Sequence, residues 1–222
     1  MDNCNIHIMS QFAKPTGYFG KILAKGMARG HREFYENALK VINPQKDDTY
    51  LEIGFGSGVF INKYLTHISR IAGIDYSEDM VKLASNVNKK LIESGKAEFK
   101  QGDASVLPWG NNEFSVVAAI EVFFFLNDTD KVLKEIFRVL KPNGRLIIEM
   151  SFNKDDGMDH RRHIKKMKLR LYSGTEMKKM VENAGFSDVV VEYYKAFRLP
   201  IKGYLVPKGM VVEGIKKNRI PK

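Results

Sequence analysis

The sequence contains a single cysteine and no long apolar run. Cys4 cannot form a disulfide within the chain, and it leaves no cysteine cluster for a metal site. No apolar segment approaches the roughly 18 residues of a membrane span, and the N-terminus lacks the apolar stretch of a secretory signal. We therefore expect a cytoplasmic protein without a disulfide framework, a bound metal or a membrane span.

Acidic residues are fewer than basic ones, 26 against 36, so the formal net charge is +10. Such an excess is typical of proteins that bind nucleic acid. The lysines are nevertheless spread over the whole chain, and the one dense basic run, residues 161–170, lacks interleaved aromatic residues for base stacking. A basic surface without a polymeric partner is favoured, and RNA stays open as the alternative.

Linkers and repeats are missing as well. The 222 residues are 44% hydrophobic and 28% charged, which is ordinary for a globular protein with a sizeable core. No internal repeat, low-complexity tract or convincing linker interrupts them. We therefore expect a single domain over residues 1–222.

Residues 50–58 predict a strand, a tight turn and the start of a helix. Glycines suit this turn because they adopt backbone angles that other residues resist, and because the missing Cβ lets a ligand lie against the main chain. The spacing differs from the dinucleotide fingerprint, whose third glycine would stand at Val59, and no Walker-type Lys-Ser or Lys-Thr follows. The residues of interest are Glu52, Gly54, Gly56 and Gly58.

Acidic residues follow the next two predicted strands. Asp75 ends the strand at 70–74, and Asp103 comes just after the strand at 97–101. In an open α/β sheet, ligands bind outside the carboxyl ends of the strands. Asp75 stands 21 positions after Gly54, close to the ~20 expected of an acid that accepts ribose hydroxyls. We expect these acids to surround one ligand.

Three motifs together resemble the class I S-adenosylmethionine-dependent methyltransferases, and most closely the small-molecule branch with the quinone-ring and related metabolite methyltransferases. They are Glu-x-Gly-x-Gly-x-Gly at 52–58, the acid at 75 and Gly-Asp-Ala-x-x-Leu-Pro-Trp at 102–109. The resemblance covers about residues 49–150. It implies an α/β, Rossmann-like sheet of seven mostly parallel strands, with an antiparallel C-terminal edge strand, helices on both faces and an N-terminal helical lid.

The resemblance also implies S-adenosylmethionine as cofactor and S-adenosylhomocysteine as product. Glu52 would face the ammonium group or an ordered water, Asp75 the ribose, Tyr76 the adenine face and Asp103 the adenine amine. The residues expected to bind the cofactor are Glu52, Gly54, Gly56, Gly58, Asp75, Tyr76, Met80, Asp103, Ala104, Glu121 and Val122. Residues 1–45 would form the helical extension or lid, 46–152 the cofactor-binding core, and 153–222 a substrate-side segment and the last strands.

The residues after the fourth strand concern the methyl acceptor. Phe123, Phe124 and Phe125 suggest an apolar acceptor pocket, with core packing as the alternative for two of them. We expect direct in-line transfer to a small molecule, in which holding two reactants together and excluding water can supply much of the catalysis. An RNA methyltransferase and a cofactor-binding protein without catalysis are the alternatives.

A dedicated base is optional in such a transfer, and the candidates lie in segments expected at the mouth of the site. They are Tyr18, His31, His160, His163 and Tyr172. Chemistry that needs a cysteine nucleophile is excluded, because Cys4 stands alone near the terminus. The acceptor, the atom methylated and the oligomeric state are not predicted.

Overall fold

Alternating strands and helices build one seven-stranded sheet in the computed structural model, which describes residues 32–198 and 205–217. The strands are β1 (Thr49–Ile53), β2 (Arg70–Asp75), β3 (Ala97–Gln101), β4 (Phe114–Ile120), β5 (Leu140–Met150), β6 (Ser187–Arg198) and β7 (Leu205–Ile215). The helices are α1 (Arg32–Ile42), α2 (Val59–Tyr64), α3 (Glu78–Val87), α4 (Lys89–Glu93), α5 (Thr129–Val139), α6 (Arg161–Met167) and α7 (Gly174–Asn183), with a 3₁₀ turn at Phe123–Phe125.

The strand order is β3-β2-β1-β4-β5-β7-β6. Neighbouring strands from β3 to β5 are parallel, whereas β7 is antiparallel to both β5 and β6. The predicted Rossmann-like, mostly parallel sheet with an antiparallel C-terminal hairpin is thus confirmed. Within that hairpin the antiparallel strand β7 lies inside the sheet, and β6 forms the edge.

Helices cover both faces of the sheet, which explains the nearly continuous apolar sequence of β4. Val117 and Ala119 pack on the face that also buries Leu133 of α5, and Val116 and Ala118 pack on the face that buries Ala38 of α1. A central parallel strand that is buried on both sides has no position for a solvated side chain. The parallel strands therefore end together at one edge, where their loops form the site.

Local signals set most element boundaries. Asp128 caps α5 by accepting from the Lys131 N–H, and Ser173 and Glu176 form a reciprocal capping box at the start of α7. β5 begins at Leu140, before its apolar run at 146–150, and its pairing with β4 passes from Leu140 to Arg145 over a bulge. No helix in the described ranges is long and apolar enough to cross a membrane.

Only the end of the predicted N-terminal lid lies in the described ranges. Within residues 1–45, the segment that contains Phe34 and Ile42 forms α1. Residues 1–31 of the expected lid lie outside the described residues. Of the expected lid, only α1 can therefore be compared with the structure.

Arg145 of β5 fastens the end of α1 to the sheet. Its guanidinium donates to the backbone oxygens of Val41 at 2.9 Å and Ile42 at 2.5 Å, and it pairs with Glu213 of β7 at 3.2 Å. The last carbonyls of a helix have no partner within the helix, so these two bonds satisfy groups that would otherwise be orphaned.

We expect Arg145→Ala to lower the free energy of unfolding by about 1–3 kcal/mol, because the half-buried carbonyls at the end of α1 lose their donor. Arg161→Ala is the matched control, since Arg161 is 90% exposed and pairs only with Asp159 among the described ion pairs. Its effect should stay within about 0.5 kcal/mol. Equilibrium urea unfolding measures both variants, and equal effects would contradict the role given to Arg145.

Candidate functional site

A cavity of about 340 Å³ lies at the carboxyl ends of β1, β2, β3 and β4. All of the predicted cofactor-binding residues except Gly58 line it: Glu52, Gly54, Gly56, Asp75, Tyr76, Met80, Asp103, Ala104, Glu121 and Val122. Residues separated by dozens of positions meet here because parallel strands end at the same edge of the sheet. The structure therefore brings together the residues that the sequence motifs singled out.

The three glycines of the turn serve different purposes. A Cβ at Gly54 would overlap Val122, and a Cβ at Gly58 would overlap Ala84 and Asn88. A Cβ at Gly56 would meet nothing within 4 Å, so the backbone there borders open space in the cavity. Gly56 thus offers the close approach that a ligand needs, whereas Gly58 packs α2 against α3 and does not line the cavity.

Asp75 holds the turn in place. One carboxylate oxygen accepts the Gly56 N–H at 2.9 Å, and the other accepts the Ser77 N–H at 2.9 Å. Ser77 is the N-cap residue of α3 as predicted, but Asp75 also has a structural role at this helix start. An ionised carboxylate has about four acceptor sites, so both oxygens can still accept hydroxyl groups.

Glu52 is buried at the end of β1, with 3% of its surface exposed. The Tyr50 hydroxyl lies 3.4 Å from its Oε2. Burial, together with the charge of Asp75, raises the pKa of Glu52 to about 8, although the hydrogen bond from Tyr50 acts in the opposite direction. The side chain therefore carries a proton near neutral pH in the absence of a positive ligand.

Asp103 and Tyr76 form the outer part of the site. Asp103 accepts the Ser105 N–H at 2.8 Å, which fixes its carboxylate in the turn after β3. Tyr76 is 62% exposed and lies at the rim. Met80 is buried beneath the rim, where it supplies an apolar wall.

The expected apolar acceptor pocket needs correction, because one phenylalanine of the three lines the cavity. Phe123 and Phe124 are buried in the core, and Phe125 borders the cavity beside Leu126. The 3₁₀ turn directs the three rings differently, which sequence spacing does not reveal. Tyr35 of α1 also lines the cavity, although no sequence motif singled it out.

Of the candidate bases whose side chains the structure describes, His160 and Tyr172, neither lines the cavity. His160 is buried, its Nε2 lies 2.7 Å from an Asp156 oxygen, and its ring packs on Phe152. Tyr172 packs on Phe123, and its hydroxyl lies 3.5 Å from that of Thr129. Tyr18 and His31 lie outside the described residues, and the side chain of His163 is not described.

The cavity is acidic although the chain is basic. Its described lining contains the carboxyl groups of Glu52, Asp75, Asp103, Glu121 and Asp128, and no lysine, arginine or histidine. Burial raises the pKa of Glu121 to about 7 against the hydrogen bonds from Ser151. A positively charged ligand would relieve the mutual repulsion of these groups, and a negatively charged one would add to it.

Comparison with known proteins adds independent findings. Residues 51–148 match the family model described as a methyltransferase domain. An O-methyltransferase of Pyrenophora dematioidea is 30% identical over 185 residues, which cover 79% of this chain and 69% of that protein. A demethylmenaquinone methyltransferase of Lactobacillus johnsonii is 27% identical over 210 residues, covering 83% of this chain and 85% of that protein.

Solved structures share the fold. An S-adenosylmethionine-dependent methyltransferase of Thermotoga maritima superposes with a TM-score of 0.66 at 25% identity, covering 85% of this chain and 92% of that chain. Phosphoethanolamine N-methyltransferase 2 of Haemonchus contortus, in complex with phosphomonomethylethanolamine and S-adenosylhomocysteine, superposes with a TM-score of 0.75 at 18% identity, covering 95% of this chain and 61% of that one. The second likeness concerns the fold alone.

The raised pKa of Glu52 predicts how stability depends on pH. The folded-state value is about 8 and the ordinary value is 4.5, so between them the folded protein holds a proton that the unfolded chain has lost. Stability therefore falls as pH rises through this window. We expect Glu52→Gln to lose less stability than the wild type between about pH 5 and pH 8.

Urea unfolding at the two pH values measures this difference. Glu192→Gln is the matched control, because Glu192 is exposed on β6, and it should follow the wild type. The same pH dependence in Glu52→Gln as in the wild type would show that Glu52 does not carry the proton.

Proposed function

Because the chain belongs to the S-adenosylmethionine-dependent methyltransferases, we propose that it transfers a methyl group to a small, uncharged or cationic acceptor bound in the cavity at the ends of β1 to β4. One observation carries this proposal: Gly56 leaves open space beside a backbone that is surrounded by carboxyl groups from four neighbouring strand ends. The cofactor is S-adenosylmethionine, and the acceptor class is inferred from the charge of the cavity.

The order of the strands, together with the roles proposed for their acids, predicts which end of the cofactor lies at which strand. The sheet runs β3-β2-β1-β4, so Asp103, Asp75, Glu52 and Glu121 follow one another along the rim. In our proposal Asp103 binds the adenine amine, Asp75 the ribose hydroxyls and Glu52 the ammonium group. The methyl group then lies between the ends of β1 and β4, next to Glu121.

When bound, the cofactor supplies a methyl group on a positively charged sulfur, which is a good leaving group. The chain has to hold the acceptor in line with that group and exclude water. Phe125, Leu126 and Tyr35 of α1 line the same cavity as Glu121. These side chains give the acceptor an apolar wall.

Charge selects among acceptors. A carboxylate or phosphate on the acceptor would meet Glu121 and Asp128 without a basic side chain in the described lining. A neutral hydroxyl, an aromatic ring or an amine avoids this repulsion. The names of the two relatives, an O-methyltransferase and a demethylmenaquinone methyltransferase, support a small acceptor of this kind.

Incubation of the protein with methyl-labelled cofactor and fractionated cell extract tests the proposal. The extract is divided into RNA and into anionic, neutral and cationic small molecules, and each fraction is assayed for incorporated label. We expect label in a neutral or cationic fraction. Label in RNA or in the anionic fraction would contradict the acceptor class, and binding of the cofactor without transfer to any fraction would contradict catalysis.

We expect Asp75→Ala to weaken S-adenosylmethionine binding by about 1–3 kcal/mol, because a charge-assisted acceptor for the ribose is lost. Asp47→Ala is the matched control, since Asp47 is exposed before β1, at the opposite edge of the sheet. Calorimetry measures the affinities, and thermal unfolding shows whether the turn held by Asp75 stays folded. Unchanged affinity in folded Asp75→Ala would refute the ribose role.

A further inference from the structure

Two glutamates lie side by side at the ends of the neighbouring strands β4 and β5. The Glu121 N–H donates to the backbone oxygen of Glu149 at 3.0 Å. Glu149 is fully buried, and its Oε1 accepts the Tyr194 hydroxyl at 2.5 Å. Its Oε2 has no hydrogen-bond partner among the described residues. Neither the proposed cofactor contacts nor the proposed acceptor wall uses Glu149.

Glu121 is held in an unusual conformation where it borders the cavity. Its φ of 55° is left-handed, a region that residues other than glycine seldom adopt. Ser151 binds both of its carboxylate oxygens, through the backbone N–H and through the hydroxyl at 2.7 Å. Such strain persists where the surrounding structure fixes a side chain for a task. The carboxyl group is thus fixed at the cavity wall.

Among the described residues, the titratable groups that interact with both members of this pair are Tyr194 from β6 and Tyr35 from α1, and Tyr35 also interacts with Glu52. Within the same residues, none of the interactions that shift the pKa of Glu121 or of Glu149 comes from a basic group. Glu149 is fully buried and Glu121 is partly buried beside it, and two such adjacent carboxylates without a nearby cation cannot both be ionised at low cost. The pair therefore holds at least one proton.

Glu149 stays protonated, and Glu121 is the residue of the pair that can release and take up a proton. Burial and the charge of Glu121 together raise the pKa of Glu149 well above its ordinary value. Burial raises the pKa of Glu121 only to about 7, which is the range in which a proton acceptor works best near neutral pH. Glu121 also borders the cavity, whereas Glu149 lies behind it.

We propose that Glu121 gives up its resting proton when the positively charged cofactor binds, and then takes the proton from the acceptor as the methyl group is transferred. This inference rests on the proposed function, which puts the methyl group next to Glu121. It adds a catalytic residue where the sequence indicated only optional histidines and tyrosines. Glu149 acts as a neutral neighbour throughout.

The transfer balances with these groups alone. The bond between the acceptor atom and its hydrogen breaks, and the proton goes to a carboxylate oxygen of Glu121. The electron pair left on the acceptor atom forms the new bond to the methyl carbon, and the pair of the broken carbon–sulfur bond stays on sulfur. Glu121 becomes neutral in the same step in which the positive charge leaves the cavity, so no unpaired charge remains buried.

Proton release on cofactor binding tests the inference without any acceptor. Titration calorimetry in buffers of different ionisation enthalpy gives the protons released when S-adenosylmethionine or S-adenosylhomocysteine binds. Both ligands carry the ammonium and carboxylate groups, and they differ in the methyl group and the positive charge on sulfur. We expect the wild type to release more protons with S-adenosylmethionine, with the greatest difference below pH 7, between the Glu121 pKa of about 7 in the free protein and the lower pKa imposed by the bound positive charge.

Two isosteric variants identify the group. Glu121→Gln should bind both ligands with no difference in proton release, whereas Glu149→Gln should keep the difference, because Gln resembles the protonated form of Glu149. An unchanged difference in Glu121→Gln, or its loss in Glu149→Gln alone, would overturn the assignment. Glu192→Gln, on the exposed side of β6, should behave as the wild type.

Infrared difference spectra of the wild type test the same inference without a variant, so the result does not depend on whether a variant folds. Both ligands carry the ammonium group that can ionise Glu52, so S-adenosylmethionine should remove one more C=O band of a protonated carboxyl group than S-adenosylhomocysteine does. Binding of both ligands without that spectral difference overturns the inference and leaves the proposed function standing. Absence of S-adenosylmethionine binding to the wild type would defeat the proposed function itself, and this inference with it.

Discussion

The carboxylate of Asp75 is the interaction on which the arrangement of the site depends. It joins the N–H of Gly56, in the turn after β1, to the N–H of Ser77, at the start of α3. The end of β2 thereby fixes the turn of its neighbour, and the open space at Gly56 faces the rim on which the other strand ends place their acids. A ribose on Asp75 would add bonds to a carboxylate whose position is already fixed, so little ordering is left to be done on binding.

Burial of acidic groups gives the site its chemical preference. The chain has a formal charge of +10, yet the described lining of the cavity is free of basic side chains and contains carboxyl groups from the ends of β1 to β4. Burial raises the pKa of Glu52 and Glu121, so these groups are poised to ionise when a positive charge arrives. The same feature favours a sulfonium cofactor and disfavours an anionic acceptor.

Much of the fold and of the cofactor side could be predicted from the sequence, because the signals are local. A strand followed by glycines or by an acid is a short pattern, and the parallel sheet then gathers these strand ends at one edge. The separate tasks of Gly56 and Gly58 could not be predicted, since the space at each Cβ depends on side chains from other elements, such as Ala84 of α3.

The acceptor side was harder to predict for the same physical reason. Three consecutive phenylalanines look alike in sequence, but the 3₁₀ turn buries two and leaves Phe125 at the cavity. Glu149 reads as one polar residue in an apolar strand, and its partner Tyr194 lies 45 positions away on β6. Tyr35 reaches the cavity from a helix that precedes the first strand.

A crystal structure with bound S-adenosylhomocysteine would show whether the strand ends from β3 to β4 hold the cofactor in that order. We expect adenine beside Asp103, the ribose hydroxyls on Asp75, the backbone of Gly56 against the ligand, and the sulfur between the ends of β1 and β4 near Glu121. A ligand in the reverse direction, or at a different part of the surface, would contradict this arrangement.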